Sequence, residues 1–300
     1  MAGVRRSRQL ILIAAILLAS PVVRACASCG CGDPTLTAMG VEKPFANRLR
    51  FSLEERFSGD SAGNADYLEE TWTLRSSLTA SFSPNDRFTI AALVPLMSIW
   101  TSVAGSAYQN VTGLGDSELM ARAILWRERA WSPRHLISLM GGIKIPTAPR
   151  GYYASGYPAP DDVQPGSGSW DPFVGLGYHW FTSDLFSTFA SLSYRYTTPG
   201  WHDYRRGESV GGTAGLQLQP SGRVAFAVSL DYRWAAADQL ASGGVVANSG
   251  GSMLAITPSI GVAPIPDWLI VLSAQLHVAG WFNGSQTQST TLVLSTVVDF

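Results

Sequence analysis

The sequence predicts an all-β fold, a transmembrane antiparallel up-and-down β-barrel of about twelve strands, from three observations. Leu292, Leu294, Thr296, Val298 and Phe300 fall on one face of a strand, while Thr291, Val293, Ser295, Val297 and Asp299 fall on the other. This period of two recurs back along the chain in segments of about 10 residues or more, the length a tilted strand needs to cross a bilayer. The chain is 46% hydrophobic and 14% charged, yet no run approaches the roughly 18 consecutive apolar residues of a membrane helix. Strands must therefore carry the apolar content.

The elements follow in chain order. Arg5, Arg6 and Arg8 precede an apolar run from Leu10 to Ala19 and small residues around Ala25, the pattern of a secretory signal peptide over residues 1–25. A Cys-bearing leader occupies residues 26–47, and the barrel is expected over residues 48–300. Strands are predicted at 48–57, 67–82, 87–98, 113–126, 135–145, 170–181, 186–196, 209–219, 223–234, 252–262, 268–278 and 289–300, separated by turn chemistry. The clearest has Val224, Phe226, Val228, Leu230, Tyr232 and Trp234 on one face and Ala225, Ala227, Ser229, Asp231 and Arg233 on the other. Its aliphatic start and aromatic end fit a lipid-facing band with an interfacial girdle.

Connections alternate in length. Those at 83–86, 182–185, 220–222 and 263–267 are short, and that at 127–134 is moderately longer. Those at 58–66, 99–112, 146–169, 197–208, 235–251 and 279–288 are consistently longer. Outer-membrane barrels have short periplasmic turns and longer external loops. With an even strand count both ends of the barrel, and so the leader and Phe300, are expected on the periplasmic side. A water-soluble barrel would leave its second face strongly charged, whereas Ser273, Gln275 and His277 face away from Ile270, Leu272, Ala274 and Leu276. Without residues 1–25 the net charge is about -5, which gives no support to a nucleic-acid partner.

Several phrases carry a family resemblance. They are Gly113-Leu114-Gly115-Asp116 running into Leu119 to Arg122, Gly141-Gly142-Ile143-Lys144-Ile145-Pro146-Thr147, and Gln164-Pro165-Gly166-Ser167-Gly168-Ser169-Trp170-Asp171-Pro172. Asn248 to Gly251, Thr257-Pro258 and the final Phe300 fit the same pattern. Over residues 48–300 the chain resembles the outer-membrane barrels of the MetA-pathway phenol-degradation group, a transporter-like family. The resemblance implies an outer-membrane channel for a small solute, hydrophobic by the family label. The Cys cluster is atypical of that family.

Strand parity points Arg50, Glu54, Arg56, Arg75, Asp116, Glu118, Arg122, Lys144, Asp171, Arg195, Asp231, Arg233, His277 and Asp299 inward as a lumen lining. Both signs are present, so strong ion selectivity is not indicated. The same groups also fit a closed interior in which they merely pair. The Tyr- and Pro-rich segment 150–170 is read as a solvated external loop in preference to an inward constriction.

Cys26, Cys29 and Cys31 lie within six residues. They suit a local disulfide, a soft ion such as Cu(I), or lipidation if Cys26 becomes the first residue. The alternative to a channel is therefore a metal-handling or periplasmic docking barrel that acts through these cysteines, and a lipid-active enzyme comes third. Enzyme activity is not expected, because no histidine among His135, His179, His202 and His277 sits in a catalytic phrase. Expected partners are outer-membrane lipid, a small-molecule solute, and the barrel-assembly machinery through the strand that ends in Phe300. Mass spectrometry of the mature N-terminus decides between the two cleavage points: a start at Cys26 keeps all three cysteines, and a start at Ser28 leaves only Cys29 and Cys31 and removes the three-thiolate site.

Overall fold

Alternating side chains require two environments, and the chain supplies them by closing one sheet on itself. The computed structural model describes residues 47–300 apart from 65–66, 107–108, 131–132, 150, 155–156, 159 and 162. The residues expected to form a signal peptide and all three cysteines lie outside the described residues. The strands are β1 (Arg48–Asn64), β2 (Tyr67–Ser83), β3 (Phe88–Val103), β4 (Gln109–Leu114), β5 (Ser117–Arg127), β6 (His135–Ile145), β7 (Tyr153–Ala154) and β8 (Tyr157–Pro158). They continue with β9 (Asp171–Phe181), β10 (Phe186–Arg195), β11 (Ser209–Ser221), β12 (Val224–Ala235), β13 (Gly251–Ile265), β14 (Trp268–Phe282), β15 (Gln286–Gln288) and β16 (Thr291–Asp299).

Strands β7 and β8 pair only with each other, as a small hairpin. β4 and β5 both pair with β3 and form one stave broken at 115–116. β15 and β16 both pair with β1 and form another, broken at 289–290. The described residues thus make a closed barrel of twelve antiparallel staves. It closes where β1 takes β2 on one edge and β16 on the other, in a register running from Arg50↔Asp299 to Phe57↔Leu292. Leu49 and Phe300 complete that seam with two backbone hydrogen bonds of 2.8 and 3.2 Å.

Burial is inverted relative to a water-soluble barrel. Ser77, Thr79 and Ser81 on the inner face of β2 are at most 5% exposed, while Leu78 on its outer face is 53% exposed and Leu272 on β14 equally so. A continuous outer apolar surface of this kind belongs in lipid. Aromatic rings flank it at both ends. At the short-turn end Phe51 meets Phe300 edge to face at 6.0 Å and His135 stacks on Tyr178 and Trp180; toward the other end Phe57 stacks on Trp72 at 5.3 Å.

The ladders run further than hydrophobic alternation suggests. Residues 58–66, 99–112 and 279–288 were expected as long loops. Instead β1 and β2 stay paired to Asn64↔Tyr67, β3 pairs with β4 from Leu96↔Leu114 out to Thr101↔Gln109, and β1 pairs with β15 at Asp60↔Gln288. The physical reason is that backbone pairing needs no apolar side chains once the strand has left the lipid. Alternation marks the lipid band rather than the end of the strand.

Glu55 is an exception in that band. Leu53 and Phe57 flank it on the outer face, Leu294 is its register partner on β16, and its carboxylate accepts a hydrogen bond from Ser76 on β2 at 2.6 Å. A lipid-facing carboxylate is costly, though less so than a cation. Glu55→Leu is expected to raise stability by about 1 kcal/mol, read as a higher denaturant midpoint in lipid vesicles. A lower midpoint would show that the Glu55–Ser76 bond outweighs the cost of its burial in lipid.

Candidate functional site: the lumen and its inward loop

The site begins at the break between β4 and β5. Gly113 and Gly115 leave room that any larger residue would fill: a Cβ at Gly113 would lie 2.0 Å from the Tyr152 ring, and one at Gly115 would lie 2.9 Å from the Pro165 carbonyl oxygen. The chain 163–169 uses this room and folds into the barrel, where Val163, Gln164, Ser167 and Ser169 are all buried. The expectation of a solvated external loop is corrected here. A short polar segment that places its N–H groups on a buried carboxylate needs no exposure to water to satisfy them.

That carboxylate is Asp116. Its Oδ2 accepts from the Ser167 amide at 2.7 Å, the Ser167 hydroxyl at 3.1 Å and the Gly168 amide at 3.3 Å, and its Oδ1 accepts from the Ala148 amide at 3.2 Å. Lys144 of β6 joins the same centre. Its ammonium lies 3.6 Å from Asp116, pairs with Asp171 of β9, and donates to Ser167 and to Ser169. Gly168 holds φ at +72°, and a Cβ there would lie 2.1 Å from the Trp201 ring nitrogen. The loop 196–208 is tied in by the Trp201 amide, which donates to the Ser167 carbonyl at 3.0 Å, and by the Thr198 amide, which donates to Asp171 at 3.1 Å.

Beside this anchor lies a cavity of about 760 Å³, large enough for a small organic molecule. Its lining includes Glu54, Arg56, Arg75, Asp116, Glu118, Lys144, Asp171, Arg195, Asp231 and Arg233. Four residues expected in the lining, Arg50, Asp299, Arg122 and His277, lie off it. Arg50 is held by Asp299 at 2.6 and 2.8 Å at the short-turn end. Arg122 is 2% exposed in the same lower half of the barrel, within electrostatic reach of His179. His277 sits near Asp60 toward the opposite rim, with a buried Nδ1 that has no hydrogen-bond partner.

The acidic lining residues are largely engaged by neighbours. Glu118 takes both guanidinium arms of Arg195 at 2.9 and 3.2 Å, and Glu54 lies 3.5 Å from Arg56. Asp231 accepts from the hydroxyls of Thr213, Ser229 and Thr257 at 2.8, 3.0 and 2.5 Å. Parity missed the loop residues Arg206 and Asp238, which also line the cavity, because a loop has no alternation to read. It also passed over the inward apolar patch of Leu93, Met120, Met140 and Phe173. Below the cavity the interior is occupied by side chains, with the His179 ring stacked against Phe181 and Phe189 and Ala225, Ala227 and Val271 packed together. Among the described residues, no group of three or more His, Cys, Asp or Glu side chains is placed to hold a metal ion.

No family model and no curated protein matches this chain. Among solved structures, the COG4313 outer membrane channel from Pseudomonas putida F1 is similar at a TM-score of 0.65 and 14% identity, over 85% of this chain and 96% of that one. The β domain of the Bordetella autotransporter BrkA is similar at 0.51 and 11% identity, over 85% of this chain and all of that one. At these identities the likeness is one of fold.

Asp116→Ala and Gly168→Ala are each expected to free residues 163–169, at a cost on the order of 2–4 kcal/mol for the carboxylate and its charge-assisted bonds. Limited proteolysis of the native barrel should then cut within 146–170 in both variants and spare the parent, while heat-modifiable migration on gels reports an intact barrel. Parent-like resistance in both would show that the loop is held by other contacts.

Proposed function

We propose that the protein is an outer-membrane channel for small solutes, with the inward loop setting the width of its lumen. The observation that carries this reading is the cavity of about 760 Å³ inside a closed transmembrane barrel, lined by both signs of charge and bounded on one side by residues from 163–169. A lumen of this polarity admits water and polar groups, and its twelve staves place it between side-chain-filled eight-stranded barrels and open 16- to 18-stranded porins. The similar structure from Pseudomonas putida F1 bears the description of an outer membrane channel, and the phrases around Asp116, Lys144 and Trp170 resemble a transporter-like family. Both support the reading.

Orientation follows from the connections. The turns at 84–87, 182–185, 222–223 and 266–267 are short, and Arg48 and Phe300 lie at that end. With short turns facing the periplasm, the two ends of the barrel emerge there and the inward loop enters from outside. The leader with Cys26, Cys29 and Cys31 would then sit at the periplasmic mouth.

Purified protein in planar bilayers is expected to give discrete ion-conductance steps, with larger steps for Asp116→Ala because its loop no longer narrows the lumen. Absence of conductance in both proteins, with both barrels intact, would overturn the channel reading.

A further inference from the structure

A channel reading leaves the favoured solute open, and the partnering of the lining charges narrows it. Six acidic and six basic side chains face the cavity, so its formal charge balances. The balance is uneven in access, since the carboxylates are engaged by cations, hydroxyls and backbone amides while several guanidiniums are not. Arg75 donates to the Ser77 hydroxyl at 3.2 Å, and among the described residues neither Arg75 nor Arg233 has a carboxylate within ion-pair distance. The carboxylates they feel, Glu118 and Glu54 for Arg75 and Asp60 for Arg233, act at longer range. Arg56 is the direct register partner of Arg75 on the neighbouring strand, and it also lies within electrostatic reach of Arg233. Like charges paired across two strands are destabilising, and Glu54, 3.5 Å from Arg56, offsets this in part.

Apolar surface adjoins these cations. Met97 is the register partner of Arg75 on its other side, and Met253 is a partner of Arg233. Leu93, Met140 and Phe173 face the same cavity as one cluster, and the Arg195 guanidinium lies 4.8 Å from the Phe173 ring centroid. A guanidinium fork matches a carboxylate in plane and charge, and apolar side chains match a ring or short chain.

We infer that the lumen contains a subsite for amphipathic organic anions, in which the Arg75 and Arg233 guanidiniums attract the carboxylate and Leu93, Met97, Met140 and Phe173 hold the apolar body. This rests on the channel reading and names the solute class that it favours. A neutral molecule of the same shape leaves the guanidiniums without a partner. An inorganic anion leaves the apolar patch facing water.

Titration calorimetry on the detergent-solubilised full chain tests the subsite directly, with benzoate, benzyl alcohol and inorganic phosphate as probes. Benzoate is expected to bind more tightly than either control, and the double variant Arg75→Gln with Arg233→Gln should weaken it by about tenfold or more. Arg75→Lys with Arg233→Lys keeps the charge and loses the fork; it should give an intermediate loss, and it serves if the glutamine variant fails to fold. Equal binding of benzoate and benzyl alcohol, phosphate binding as tight as benzoate, no benzoate binding at all, or unchanged affinity in the variants would each overturn the proposal. Conductance without benzoate binding removes the subsite and leaves the channel; benzoate binding without conductance removes the channel and leaves the subsite.

Discussion

Every feature of this molecule depends on the seam between β1 and β16. In hydrocarbon no water satisfies a free N–H or C=O, so a sheet that crosses a membrane must have no open edge. The register from Arg50↔Asp299 to Phe57↔Leu292, extended by β15 against Asp60, Ser61 and Ala62, supplies that closure. Closure then separates two solvents. It lets Leu53 and Leu294 face lipid while Ser52 and Ser295 face a lumen a few ångströms away.

The interior answers a second constraint, that buried charge be compensated. The centre around Asp116 meets it with charge-assisted hydrogen bonds from two segments and with the Lys144 ammonium 3.6 Å away, so one carboxylate orders residues 163–169 at the same time as its charge is compensated. The glycine at the break makes this possible. Gly115 still donates its amide to the Pro95 carbonyl of β3 at 2.8 Å, and its lack of a side chain leaves the space that Pro165 enters.

Much of this was legible in the sequence because alternation is a direct record of two-sided environments. The twelve staves, their order of turns and the inward direction of Glu54, Arg75, Glu118 and Asp231 all follow from parity. Three things were not legible, each for a physical reason. Strand ends beyond the lipid are fixed by backbone pairing, which polar residues such as Ser61 and Thr287 support as well as apolar ones. The inward course of 163–169 depends on contacts with Asp116 about 50 residues away, although the glycines at 113, 115 and 168 were the available signal. Depth along the lumen is the third, since parity says that Arg50 and Arg122 point inward and nothing about which layer they occupy.

Partnering decides what formal charge cannot. A lining with equal numbers of each sign would be expected to treat cations and anions alike, and a count taken from sequence leads to that conclusion. Once Glu118 is bound in both arms of Arg195 and Asp231 is enclosed by three hydroxyls, these carboxylates lose the open coordination positions a cation would need. Arg75 and Arg233 keep theirs. At the range of a hydrogen bond, the groups still able to form new bonds outweigh the net total. The cavity is balanced in charge and unbalanced in what it can grasp.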